Sequence, residues 1–212
     1  VSIGLLQESP LHAEIKRRCA DKGALFEVPL EGYVIDLVRS NGELVEVQTG
    51  SFRPLRPKLE RLLDHYRMRI VHPLVTRRSL VKLDASGQVL SSRRSPKRQK
   101  IWCVLEQLVS FPTLLTHPNF ALEVWHCHEE QRSGPLQRKT RHLLEVVKRQ
   151  PIHLAQIREW LPRPETFTTS DMARHLDCTR GQAQCLAYCA RALELIEVMG
   201  KQGRCMLYAR TE

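Results

Sequence analysis

Residues 32–49, GYVIDLVR-SNG-ELVEVQT, constrain the fold more than any other stretch. Two β-rich runs flank Ser40-Asn41-Gly42, a pattern that reads as a β-hairpin. Burial then decides its register. With a two-residue turn, Asp36 faces Val47 and lies on the opposite face from Glu46. With a three-residue turn, Arg39 pairs with Glu43 and Asp36 lies directly across from Glu46. That second register gathers Val34, Asp36, Val38, Leu44, Glu46 and Gln48 on one face. The other face, Tyr33, Ile35, Leu37, Val45, Val47 and Thr49, becomes almost purely apolar. A one-residue slip mixes the two, so burial selects the three-residue turn, with Gly42 at the left-handed position such turns need.

Two carboxylates then converge in mid-sheet, with Cβ atoms roughly 4.5–5.5 Å apart. Neighbouring carboxylates repel, and keeping both ionised requires a cation or a raised pKa. Mg²⁺ is bound by one or two carboxylates together with phosphate oxygens and water, and a metal so held can activate water for displacement at phosphorus. The plainer alternative is a pair of edge carboxylates neutralised by arginine, and spacing alone favours neither.

The remaining pattern supplies a frame. Residues 11–22 read as a helix stopped by Gly23, and residues 24–30 as a strand. A helix begins near Pro54 and Pro57, both tolerable only in a first turn, with Leu55, Leu59, Leu62, Leu63 and Tyr66 as its apolar stripe. Residues 69–75 look like a buried strand, giving the order α-β-β-β-α-β. Residues 79–84 and 88–91 form a second hairpin candidate, residues 93–100 a basic loop, 101–109 a helix and 122–128 a strand. Composition turns to linker at 131–135, placing a domain boundary between residues 131 and 132. Helices are expected at 138–148, 153–161, 169–176 and 180–195, followed by a hairpin over 196–210. Helix, turn, helix and β-wing describe a winged helix-turn-helix in the second unit, residues 132–212.

Charge is concentrated. The net formal charge is +10, and residues 53–100 carry 14 Lys/Arg against 3 Asp/Glu, while residues 1–52 are acidic. Such a segment is the footprint of a phosphate-backbone binder, nucleic acid and more specifically DNA, with Arg93, Arg94, Lys97 and Arg98 as contacts. In the second unit Arg180, Gln184, Tyr188 and Arg191 form a polar stripe able to meet DNA, although a protein-contact role, including a homodimer, fits equally well. No apolar run approaches the roughly 18–20 residues that span a bilayer, so no membrane role is expected. Residues 1–6 lack a secretory signal, and seven cysteines without CxxC spacing point to a reducing cytoplasm. His126-Cys127-His128 has too few convergent ligands for zinc and reads as ordinary strand histidines.

The element order, with Asp36 on the second strand and Glu46-Val47-Gln48 on the third, resembles the PD-(D/E)XK nuclease superfamily over about residues 9–76. Within it, EVQTGSFRPLRPKLERLL followed by RIVHPL is similar to a family of largely uncharacterised bacterial proteins with a nuclease-like core and a winged-helix C-terminus. The resemblance implies an α/β, restriction-endonuclease-like mixed-sheet core followed by a C-terminal winged helix-turn-helix. It implies a DNA endonuclease dependent on Mg²⁺ or Mn²⁺, with Asp36 and Glu46 as metal carboxylates and Glu14 as the added helical acidic residue. Gln48 stands where the superfamily usually has Lys; it can orient water or phosphate but cannot supply charge. Lys58 flanks the Leu55/Leu59/Leu62 stripe, so its ammonium can reach the site as a substitute; a solvated, phosphate-contacting lysine is the alternative. The competing function is a catalytically reduced nuclease fold kept as a nucleic-acid-binding or regulatory module.

Overall fold

The computed structural model describes residues 8–211, and residues 1–6, where a secretory signal would stand, lie outside them. The chain is mixed α/β. It begins with α1 (Pro10–Cys19), β1 (Leu25–Leu30), β2 (Tyr33–Val38), β3 (Leu44–Val47), α2 (Arg56–Leu62) and β4 (Met68–Leu83). It continues through β5 (Val89–Arg94), α3 (Leu105–Leu108), β6 (Phe120–Gly134) and β7 (Gln137–Ile152). It closes with α4 (Leu154–Glu159), β8 (Thr166–Thr168), α5 (Thr169–Leu176), α6 (Arg180–Ala192), β9 (Ile196–Gln202) and β10 (Cys205–Arg210).

The large sheet runs β1-β2-β3-β4-β6-β7, with β5 paired to β4. Strands β3, β4 and β6 are mutually parallel, and β1, β2, β5 and β7 join antiparallel. A parallel β3–β4 pair needs a crossover, which α2 supplies. Pro54 and Pro57 sit in the first turns of the helical segment, where the missing N–H costs nothing.

Both faces of the sheet are covered. On one, Leu11, Ile15 and Cys19 of α1 pack against Leu37, Val45, Val47, Val71, Trp125 and Cys127. On the other, Leu59 and Leu62 of α2 and Leu108 of α3 meet Ile70, Leu74, Leu122 and Val124. This second core continues without a break into Leu186 and Ala190 of α6 and Tyr208 of β10. Each such fully buried aliphatic side chain contributes on the order of 1.5–3 kcal/mol.

Two expectations about the middle of the chain need correction. Residues 131–135, read as a linker, are the end of β6 and its turn into β7, and residues 138–148, read as a helix, are strand. The boundary between residues 131 and 132 therefore falls inside β6, and the sheet ends at Ile152. The apolar residues of β7 point to both faces of a half-exposed ribbon, and register shifts near Cys127, Glu129 and Gly134 interrupt alternation. Period-2 patterning is lost in such a strand, and Leu143, Leu144, Val146 and Val147 imitate helical spacing.

The C-terminal elements follow local signals. Thr168 with Asp171 and Thr179 with Gln182 form capping boxes that start α5 and α6. Strands β8, β10 and β9 make a small antiparallel sheet. Lys100 Nζ pairs with Asp177 at 2.6 Å and Gln182 Nε2 donates to Glu106 at 2.8 Å, tying α5 and α6 to the segment around α3.

Candidate active site

The site grows from a break in the β2–β3 hairpin. Arg39 N–H donates to the Glu43 carbonyl at 2.9 Å, Gly42 takes φ +80°, and the ladder runs Val38↔Leu44, Leu37↔Val45. The next residues in register are Asp36 and Glu46, and there regular pairing stops. A continuing ladder would direct Val47 N–H to the Ile35 carbonyl. It donates instead to Asp36 Oδ2 at 2.8 Å, while Asp36 N–H points to Glu46 Oε1 at 3.4 Å. Ile35 and Leu37, two residues apart, consequently sit in the two different cores. Glu27, across from Asp36 on β1, takes φ +51°. Two carboxylates thus occupy a split between strands rather than a flat face.

Helices α1 and α2 each bring basic side chains to the split. From α1, His12 Nε2 lies 3.0 Å from Asp36 Oδ2, and its Nδ1 lies 2.6 Å from Glu8. Glu8 also pairs with Lys16 at 2.7 Å, and Lys16 pairs with Glu27. From α2, Lys58 Nζ donates to Glu46 Oε1 and to the Val34 carbonyl, both at 2.8 Å.

These contacts set the titration. Burial pushes Asp36 up, but the His12 hydrogen bond and charge, the Val47 N–H and Lys16 prevail and hold its carboxyl below the usual range. Glu46 goes the other way, to about 7: burial raises it, the Asp36 charge raises it further, and Lys58 only partly offsets them. Burial lowers His12, yet Asp36 and Glu8 together raise it, favouring imidazolium.

The other expected site residues lie as follows. Lys58 is in contact with the carboxylate pair. Gln48 donates a side-chain amide N–H to the Ser51 carbonyl, and its backbone carbonyl accepts from His72 Nδ1 at 2.7 Å. Glu14 is not at the split: both its oxygens are taken by Arg17 and Arg18. A residue two positions from His12 on a helix faces nearly the opposite way. The α1 contribution is therefore His12, with Glu8 and Lys16 on the same stripe. Their i, i+4, i+8 spacing was visible in the chain, but nothing in it aimed that stripe at Asp36.

Arg93 and Arg94 lie on exposed β5, and Lys97 and Arg98 follow in the loop. Arg180, Gln184 and Arg191 are exposed on α6 and line a groove of about 250 Å³ with Arg204 and Tyr208. His126 and His128 engage Gln150 and Glu145 separately. Among the described residues no three His, Cys, Asp or Glu side chains converge as a metal cage. No described helix is long and apolar enough to cross a membrane.

Comparison with known proteins places the chain in a family. A model described as a domain of unknown function (DUF8091) matches residues 9–160, most of the chain, and the protein belongs to that family. The matched span runs from the α1 cap to the end of α4 and contains His12, Asp36, Glu46 and Lys58. An uncharacterised protein of Treponema pallidum (strain Nichols) is 28% identical over 99% of this chain and 88% of its own length. No solved structure matches.

Proposed function

We propose that the protein is a divalent-metal-dependent nuclease of the PD-(D/E)XK type acting on DNA, with Asp36 and Glu46 as its metal carboxylates. One observation carries the reading: two carboxylates meet where β2 and β3 part, with a lysine on one and an imidazole on the other. The pair fits a hard cation. Among the described residues Asp36 Oδ1 and Glu46 Oε2 have no hydrogen-bond donor, which leaves one oxygen of each carboxylate uncommitted. Oxygen donors of this kind suit Mg²⁺ or Mn²⁺. Such an ion supplies charge to a phosphoryl oxygen and an acidified water.

The chain's own groups do the rest. His12 keeps Asp36 ionised and oriented through Oδ2. Lys58 neutralises Glu46 and places a positive charge beside the phosphate position, a role that Gln48 cannot fill with its amide committed to Ser51. The basic segment 53–100 tracks the backbone. The order α4-β8-α5-α6-β9-β10 supports a winged helix-turn-helix whose exposed α6 stripe meets DNA. The seven cysteines are unpaired, which supports a cytoplasmic setting. The commitment of Gln48 to Ser51 favours one second reading, a catalytically reduced nuclease fold retained for binding. Plasmid and single-strand cleavage with Mg²⁺ or Mn²⁺ separates them: wild type should cut and Asp36→Ala should not, whereas an uncut substrate with wild type leaves the binding module.

A further inference from the structure

The edge of β4 is shared between two partners, and a pocket opens where one hands over to the other. Strand β3 pairs as far as Val47↔Val71, and Gln48 N–H still reaches the Val71 carbonyl at 2.9 Å. From Val75 onward the segment before α3 takes over: Gln99 N–H donates to the Val75 carbonyl at 3.0 Å, and Val75 N–H donates to Gln99 Oε1 at 2.8 Å. Between them lies a pocket of about 130 Å³, walled by His72, Arg78, Lys97, Gln99, Glu106 and Arg141.

The walls are short of negative charge. Arg78 and Arg141 share one fully buried carboxylate, Glu129, the first through Nε and the second through Nε and Nη2. Three cations therefore face Glu129 and Glu106, and Glu106 is already engaged by Gln182. The Nη groups of Arg78, Arg141 Nη1, Lys97 Nζ and Gln99 Nε2 have no acceptor among the described residues. His72 adds a second kind of group. It is only 6% exposed, and its Nδ1 donates to the Gln48 carbonyl. Among the described residues its Nε2 has no hydrogen-bond partner, and the residue lines the pocket. In a neutral ring that nitrogen is an acceptor, and burial holds this imidazole below its ordinary pKa.

A ligand suited to these walls is an oxyanion that titrates near neutrality, its more charged form matching the cations and its protonated form offering an O–H. We propose that this pocket binds a phosphate monoester, the terminal phosphate of a nucleic-acid strand or of a free nucleotide. A monoester has a second pKa of about 6, so near neutral pH its dianion meets the cation excess with a charge that a diester lacks, while its monoanion keeps a P–OH for His72. An internal phosphodiester has no such proton. Gln48, whose carbonyl holds His72, lies two residues beyond Glu46, about 7 Å along the strand. A strand end seated here would enter beside the carboxylate pair. The strand-end source rests on the nuclease reading; the chemistry of the pocket does not.

The test is direct binding in metal-free buffer. The probes are fluorescent single-stranded oligonucleotides phosphorylated at the 5′ end, at the 3′ end or at neither, with a nucleoside monophosphate and inorganic phosphate as competitors. Gln99→Glu is the main variant, since it keeps Oε1 for Val75 N–H while placing a carboxylate in the pocket; Lys97→Met is the second. Wild type should prefer one phosphorylated end by about tenfold, and both variants should lose that preference. Asp36→Asn should retain it, even if no cleavage is ever found, so the pocket and the nuclease reading can fail separately. Binding of the free phosphates, lost in Gln99→Glu but without an end preference, assigns the pocket to a small phosphate ligand. Equal affinity for all oligonucleotides with no phosphate competition, or variants that bind as wild type does, overturns the proposal.

Discussion

Lys58 Nζ stands 2.8 Å from both Glu46 Oε1 and the Val34 carbonyl, so one side chain from α2 spans the split between β2 and β3. It leaves the helix beside the stripe that buries Leu55, Leu59 and Leu62, and its stem is largely covered, with 14% of the side chain exposed. That is a held lysine, not a solvated one. Its ammonium is positioned by packing before any ligand arrives.

Replacing it should therefore affect both stability and activity. Lys58→Met removes the ammonium donor from Glu46 and the Val34 carbonyl, at a cost of about 1–3 kcal/mol in urea unfolding. Metal-stimulated cleavage should fall by about 10²–10³-fold, the scale for removing one preorganised charge at a reacting phosphate. Lys58→Arg should recover part of both. Cleavage by Lys58→Met at the wild-type rate would remove Lys58 from the mechanism.

Glu46 gives the metal-free protein a pH signature. Its folded pKa of about 7 exceeds the ordinary 4.5, raised by burial first and Asp36 second. Between those values the native state holds a proton that the unfolded chain releases. The associated stability is full below about 4.5 and is lost as pH rises through about 7, by about 3 kcal/mol at most. His12, also raised, acts with the same sign. Asp36, depressed, acts oppositely and only at lower pH. Denaturation midpoints in chelator should drop between about pH 5 and about pH 8, and Glu46→Gln should flatten that drop. A Glu46→Gln profile parallel to wild type would mean that Glu46 titrates normally.

The exposed cations of β5 and the loop after it lead to a salt prediction. If Arg93, Arg94, Lys97 and Arg98 bind phosphates, neutralising all four should reduce the slope of log K against log salt on duplex DNA. The reduction should be about 0.9 for each phosphate that no longer meets a cation. Metal affinity should not change. Equal slopes for the variant and wild type would make these residues solvated surface.

How far the chain could be read depended on how strongly packing constrained each part. The Asp36–Glu46 register was legible because Gly42 and one almost purely apolar face admit one solution. A helical wheel set Lys58 beside the buried stripe but left open whether its ammonium reached the site or solvent, and its contacts with Glu46 and the Val34 carbonyl decide that. The His12–Asp36 contact was not legible, since it depends on how α1 crosses the sheet, which no local pattern encodes. The same gap put Glu14 forward, although an α1 placed with His12 inward turns it to Arg17 and Arg18. Strand β7 was misread because a half-exposed ribbon carries no clean alternation, and the Ser133-Gly134 end of β6 with the turn at Pro135-Leu136 has a linker's composition.

The most direct test of the carboxylate pair is calorimetric titration of Mn²⁺ into wild type and Asp36→Asn. Asparagine is nearly isosteric and can still accept the Val47 N–H through its amide oxygen, so the hairpin and the melting temperature should be preserved. Wild type should bind one Mn²⁺ per split, and Asp36→Asn should show no measurable binding at the same concentrations. Equal Mn²⁺ affinity in the two proteins, both folded, would contradict a metal site at Asp36 and Glu46.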